Sequence, residues 1–224
     1  MKTYEYINVH DHGAGPREGV FTVENIMVHE DHYPVEIDGI AYSCGVHPWN
    51  IEEGNINELV NKVREYALLP NVIALGEAGY DRIRGAGMEL QEKAFMAQAE
   101  VSEEMKRPLF IHCVKAWDEL LRAHKQVNPG MIWIIHGFRG KPQLAGQLLD
   151  KGFYLSPWVE WAIRPDSTET LKTIPLDRLF LETDGFDIGI EPVYRVVAEH
   201  LGIELEALKK QMWENFNAVF KSSG

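Results

Sequence analysis

Cysteine, basic charge and long apolar runs are all scarce in this chain, and each shortage removes a class of protein. Two cysteines, Cys44 and Cys113, among 224 residues cannot supply a disulfide framework, so a hydrophobic core and a reducing compartment are expected. No apolar stretch approaches the roughly 18–20 residues that a membrane span requires. The opening Met1-Lys2-Thr3-Tyr4-Glu5 lacks the charged-then-apolar pattern of a secretion signal. A cytoplasmic protein with no membrane partner is the expectation. Lysine and arginine number 22 against 34 aspartates and glutamates, a net charge of −12. Stable binding of duplex DNA usually rests on a basic stripe, and is not expected here. Acidity does not exclude a phosphate-bearing substrate, because bound metal ions reverse the local field.

What is present suits a full-sized core. Hydrophobic residues make up 45% and charged residues 25%, and the length fits a single domain over residues 1–224. Short apolar runs alternate with amphipathic stretches. Strands are predicted at Tyr6–Val9, Phe21–Val28, Tyr42–Val46, Val72–Leu75, Leu109–Ile111, Met131–Ile135, Phe153–Ser156 and Leu179–Leu181. Near-continuous apolar runs of this kind suit a parallel sheet covered on both faces. Helical spacing places Ile56, Leu59, Val60, Val63 and Tyr66 on one face, with Asn55 and Glu58 set as a capping box. A second helix over about 89–106 presents Leu90, Ala94, Ala97, Val101 and Met105. A last one near 204–220 presents Leu205, Leu208, Met212, Phe216 and Val219.

Repeated βα units at this length point to a (β/α) barrel. Its beginning is irregular. A parallel crossover takes about a dozen residues and usually a helix, yet only Gly13–Gly19 separates His12 from Val20, and His29–Tyr42 shows no helical period. The expected fold is therefore a distorted TIM-like barrel missing its first one or two outer helices.

Five histidines end predicted strands: His10, His12, His47, His112 and His136. Glu77 and the Glu182-Thr183-Asp184 run occupy equivalent positions. Barrel strands deliver their C-terminal ends to one mouth. His10 and His12, two apart in a strand, face the same side and can share an ion. Imidazole with carboxylate suits zinc, manganese or iron, and a carboxylate can bridge two ions. Cys113 adjoins His112 but faces the other way in a strand, so it reads as a buried thiol, as does Cys44. Trp158, Trp161 and Arg164 offer stacking faces near the mouth. His29, His32, His124 and His200 lie off the strand ends and read as surface residues.

The motifs resemble those of the TatD family, a branch of the metal-dependent amidohydrolase superfamily. His10-Asp11-His12 is similar to its His-x-His opening, Gly45-Val46-His47-Pro48 to GxHP, and Gly76-Glu77-Ala78-Gly79-Tyr80-Asp81 to GEIGLD. Pro108–His112 resembles PxxIH, His136-Gly137-Phe138-Arg139-Gly140 resembles HxFxG, Glu182-Thr183-Asp184 resembles ETD, and Asn215–Phe220 resembles the closing helix. The resemblance implies a TIM-like barrel and a two-metal hydrolase (Mg, Mn or Zn), commonly a DNase acting on phosphodiester bonds. It implies that His10, His12 and Asp184 hold one ion, that Glu77 bridges, and that His112 and His136 hold the second. His47 would orient a phosphate, Asp184 would act as general base, and Asp81 and Glu182 would orient imidazoles. A nucleic acid end or a small phosphodiester is the implied substrate. Two departures qualify this: Val114-Lys115 stands where the family often has an arginine, and Gly185-Phe186 follows Asp184. Lys115 is then the candidate phosphate contact, although a lysine lacks the guanidinium fork. The alternative expectation is a metal-dependent ester, amide or lactone hydrolase acting on a small molecule or aminoacyl group.

Overall fold

The computed structural model describes residues 4–13, 15–30 and 32–221. Seven strands form one parallel sheet in chain order: β1 (Tyr6–Asp11), β2 (Val20–Met27), β3 (Ile40–Gly45), β4 (Val72–Asp81), β5 (Leu109–Val114), β6 (Trp133–Phe138) and β7 (Tyr154–Pro157). Helices α1 (Ile56–Tyr66), α2 (Met88–Met105), α3 (Trp117–Val127), α4 (Pro142–Leu149), α5 (Val159–Ala162), α6 (Thr168–Leu171), α7 (Ile190–Leu201) and α8 (Leu205–Phe220) complete it. Among the described residues no helix lies between β1 and β2 or between β2 and β3, so both early outer helices are missing, as the glycine-rich and aperiodic links foretold. None of the helices is long and apolar enough to cross a membrane.

The expected eighth strand is not a strand. Leu179 makes a single parallel bridge to Leu155, Phe180 N donates to Leu155 O at 2.9 Å, and Val9 N donates to Leu181 O at 3.1 Å. A 3₁₀ turn at Leu176–Arg178 precedes this segment, and the left-handed Asp184 (φ 51°) follows it, leaving no room for a longer ladder. Three residues nevertheless join β7 to β1 and close the barrel.

Two clusters share the core. The larger packs the outer face of the sheet against the helices. The smaller takes Ile7, Val9, Val23, Ala74, Phe110, Ile134, Tyr154 and Phe180 from segments all round the ring, together with Phe216, Val219 and Phe220 of α8. Residues from so many strands meet only inside the barrel. Phe220 lies 6.1 Å from Phe110 and 5.9 Å from Phe180, each two residues before a polar strand end. The closing helix therefore plugs the end opposite the mouth.

Two helix expectations need correction. Asn55 makes no side-chain cap to α1; its Oδ1 accepts from Glu52 N at 2.9 Å and its Nδ2 donates to Asn50 O at 3.1 Å, so the turn before the helix takes its hydrogen-bonding groups. Helix α2 buries Gln91, Ala94, Phe95, Gln98, Ala99, Val101 and Ser102, while Leu90, Ala97 and Met105 are only half-buried. Its inward face carries two glutamines that an apolar pattern passes over.

Candidate metal centre

Glycines bring the central carboxylate into place. Gly76 (φ 101°) and Gly79 (φ 154°) flank Glu77, and a Cβ on them would lie 2.3 Å from Phe110 O and 1.9 Å from His112 O. Only glycine permits β4 to approach β5 so closely with positive φ. Asn25 Nδ2 donates to Gly76 O at 2.6 Å and fixes the peptide before Glu77.

The two oxygens of Glu77 face two different groups. Oε1 lies 3.2 Å from His10 Nε2 and 3.1 Å from His12 Nε2. The same two nitrogens lie 3.6 and 3.4 Å from Asp184 Oδ1. Oε2 lies 2.7 Å from His136 Nε2, 3.4 Å from His112 Nδ1 and 3.5 Å from His47 Nε2. All six expected ligands therefore gather at one mouth, with His47 beside them. Among the described residues, three sets of donor atoms lie close enough together to hold a cation: His10, His12 and Glu77; His10, His136 and Asp184; and His47, Glu77 and His112.

The donor set fits divalent cations on its own geometry. Both ring nitrogens of His10 and Nδ1 of His136 are buried and make no hydrogen bond, an expensive condition for isolated polar atoms. Donors about 2.0–2.2 Å from a tetrahedral ion sit about 3.4 Å apart, and the spacing between groups here is of that size.

Electrostatics divide the imidazoles into two kinds. Burial works against a charge on His10 and His12, yet the neighbouring Asp184 and Glu77 carboxylates raise His10 well above the usual range and His12 to about 9. Burial pushes His47 down to about 3 and lowers His136. Burial alone would raise Glu77 and Asp184. The surrounding imidazoles instead hold both carboxyl groups well below their ordinary range, His136 and His10 for Glu77, His10 and His12 for Asp184.

Hydrogen bonds assign protons to two of the rings. Trp49 N donates to His47 Nδ1 at 3.2 Å, so neutral His47 carries its proton on Nε2, the nitrogen that faces Glu77. That nitrogen is a donor, which favours contact with a substrate oxygen over metal ligation. His112 Nε2 lies 3.5 Å from Asp81 Oδ2, which leaves the Nδ1 lone pair toward Glu77. Asp81 is itself fixed, accepting from Trp49 Nε1 at 2.7 Å, Ile83 N at 2.7 Å and Arg84 N at 3.0 Å. Glu182 differs from expectation. Its Oε1 is 3.9 Å from His136 Nδ1, beyond hydrogen-bond range, and accepts from Gly137 N at 2.6 Å. It holds the loop after His136 rather than the ring. Burial pushes its carboxyl up to about 8.

Several supporting residues escaped the sequence reading. Asp11 Oδ1 accepts from His12 N at 2.9 Å and Gly185 N at 2.8 Å, and its Oδ2 accepts from Asn8 Nδ2 at 2.9 Å and Thr183 Oγ1 at 2.8 Å. Asp184 is thereby tied to β1. Gln98 Oε1 accepts from Val46 N at 2.7 Å while its Nε2 donates to Val46 O at 3.0 Å, next to His47. Gln91 clamps Asp81 in the same way, at 2.8 and 2.9 Å. The available signal was their spacing: seven residues apart, the two glutamines lie on one helix face.

Beside the cluster opens a cleft of about 340 Å³, lined by Ile83, Cys113, Lys115, Arg139 and Trp158 together with His112, His136 and Asp184. Lys115 thus lies where a substrate contact was expected. Cys113 is only half-buried and faces this cleft, contrary to expectation, but burial of its thiol raises the pKa and disfavours the thiolate. Cys44 is buried as expected. Trp161 packs edge-on against Phe138, and neither it nor Arg164 lines the cleft. His29 and His32 are exposed, but His124 and His200 are half-buried, His124 between the rings of Trp133 and Phe153.

An uncharacterized metal-dependent hydrolase of Buchnera aphidicola subsp. Acyrthosiphon pisum, BU355, is 30% identical over 203 residues, 81% of this chain and 77% of that protein. The 3′-5′ ssDNA/RNA exonuclease TatD of Rahnella sp. is 36% identical over 150 residues, 64% of this chain and 56% of that protein. The crystal structure of YJJV, a TatD homolog from Escherichia coli K12, matches with a TM-score of 0.78 over 97% of this chain and 98% of that one, at 18% identity, which shows a shared fold. The model of the TatD related DNase family matches residues 30–221, and the chain belongs to that family.

Proposed function

We propose that the protein is a divalent-metal-dependent phosphodiesterase of nuclease type, acting on single-stranded ends or small phosphodiesters. The observation that carries this reading is the division of Glu77, whose two oxygens face separate groups of imidazoles. On this reading His10, His12, Asp184 and Glu77 hold one ion, and Glu77, His112 and His136 hold a second. When bound, two such ions (Mg, Mn or Zn) supply Lewis acidity at the phosphoryl group and acidify water beside it.

The chain's own residues do the rest. Asp184 is open to the cleft and accepts the proton of the attacking water at its carboxylate. His47 donates from Nε2–H to a phosphoryl oxygen, with its tautomer fixed by Trp49 N. Asp81 holds the His112 ring, and Glu182 holds the turn at Gly137. Lys115 supplies positive charge at the rim. An acidic surface with a cationic cleft favours a short or terminal substrate over stable contact with a duplex. The named exonuclease relative supports a nucleic acid substrate.

Metal-free protein titrated with Mn²⁺, Zn²⁺ or Mg²⁺ tests the proposal. Turnover of bis-p-nitrophenyl phosphate and shortening of a single-stranded DNA 3′ end are expected only after metal addition. Hydrolysis of carboxylic esters or lactones with both phosphodiesters untouched would overturn it in favour of a small-molecule hydrolase.

A further inference from the structure

The cleft beside the metal cluster contains two cations in a chain with a net charge of −12. Lys115 and Arg139 both line it, both are exposed, and neither is paired with a carboxylate among the described residues. Of the two, Arg139 is held in place. Its guanidinium carbon lies 4.5 Å from the centre of the Trp158 ring. That ring is braced edge-on by Phe186 at 5.9 Å, and Trp158 N donates to Phe138 O at 3.0 Å. The loop carrying Arg139 is fixed from behind by Gly137 N donating to Glu182 Oε1. A guanidinium lying against an indole keeps its in-plane N–H fork free, the geometry suited to two oxygens of one phosphate. Arg139 and Trp158 thus place an anion-reading group and an aromatic face in the same cleft as His112, His136 and Asp184.

We infer that Arg139 is a specificity-determining residue that binds a second phosphate, one nucleotide away from the phosphodiester held at the metal cluster. This inference rests on the phosphodiesterase reading and narrows it: the preferred substrate carries at least two phosphates, and the sugar and base between them lie along the Trp158 side of the cleft. Lys115 adds charge at the same end without setting direction, because an ammonium has no fork.

The test compares kcat/KM for dTpdT with that for the same dinucleotide carrying an additional 5′-phosphate or an additional 3′-phosphate, using metal-loaded enzyme. One of the two phosphorylated forms is expected to be preferred about 10- to 100-fold, the range of one charge-assisted contact, mostly through KM. Arg139→Gln should bring that ratio close to one, Arg139→Lys should retain part of it, and Lys172→Gln, an exposed cation outside the cleft, should leave it unchanged. Reading a ratio cancels any general loss of activity. Cleavage of dTpdT with no preference for either phosphorylated form would overturn the inference while leaving the phosphodiesterase reading intact. So would a preference that survives in Arg139→Gln. If no phosphodiester is cleaved at all, the reading and the inference fall together.

Discussion

The two sides of Glu77 are built from similar residues and behave oppositely. Around Oε1 stand His10, His12 and a second carboxylate, Asp184, all within 3.1–3.6 Å of their neighbours. Around Oε2 stand His47, His112 and His136, and the further carboxylate there, Asp81, meets His112 on its other ring nitrogen, turned away from Glu77. On the first side the imidazoles are pushed up, His12 to about 9. On the second side His47 and His136 are pushed down by burial. Imidazole count does not set the character of such a site. The second carboxylate does, because two negative charges stabilise a cation, whether proton or metal, where one is offset by burial. On the proposed two-ion reading, the Oε1 side would hold its ion tightly and the Oε2 side would hold one more loosely.

Breaking the shared element should produce the largest effect. Glu77→Gln removes the only charge common to both sides, and several kcal/mol of transition-state stabilisation go with it. Turnover of bis-p-nitrophenyl phosphate is expected to fall on the order of 10³-fold or more, and metal analysis should show both ions weakened. Breaking one side at a time sharpens the contrast. Asp184→Asn should weaken the tighter of two Mn²⁺ binding phases in a calorimetric titration, whereas His112→Ala should remove the weaker phase and spare the tighter. If the two variants affected the same phase, the asymmetry drawn from Asp184 would be wrong. Asp81→Asn, which removes the charge beside His112 Nε2 and weakens the bonds that Asp81 accepts from Trp49 Nε1, Ile83 N and Arg84 N, should cost about 10- to 100-fold in affinity of the weaker phase.

These contrasts show which features were legible before any coordinates. Chemistry placed at strand ends was readable, since strand ends bearing His10, His12, His47, Glu77, His112 and His136 must converge if the strands form a barrel. Barrel closure was not, because Leu179–Leu181 has the composition of a strand and is stopped by the backbone of its neighbours, above all the left-handed Asp184. Supporting residues were least visible. Asp11 lies between two histidines and looks like a solvated charge, yet it is buried with both oxygens committed. Gln91 and Gln98 are fully buried on a helix whose apolar pattern points elsewhere, because their partners are backbone atoms 52 residues away just past β3 in the case of Gln98 and ten residues away at the end of β4 in that of Gln91. Gln98→Leu tests this. It would leave Val46 N and O buried without partners at about 1–3 kcal/mol each, lowering Tm by several degrees, and kcat should fall less than in Asp81→Asn because His47 keeps its contact with Trp49 N.

The smallest effect belongs to a histidine far from the mouth. His124 on α3 lies 5.0 Å from the Trp133 ring and 4.5 Å from that of Phe153, and burial, helped by the Lys151 charge, lowers its pKa. In the unfolded chain a histidine binds its proton near pH 6.5. The folded protein takes up that proton only at lower pH, so stability rises with pH across the interval between the two values. The contribution is complete above about pH 6.5 and is lost as pH falls through the lowered value. His124→Gln should therefore flatten the decline of Tm as pH falls below about 6.5 while leaving Tm above pH 7 within a degree or two of the parent. His10 and His12 are shifted the other way and would not produce this signature, whereas His47 and His136 share its sign, so the readout is the difference between His124→Gln and its parent. A variant with an unchanged acid limb would show that the lowered pKa of His124 plays no part in acid stability.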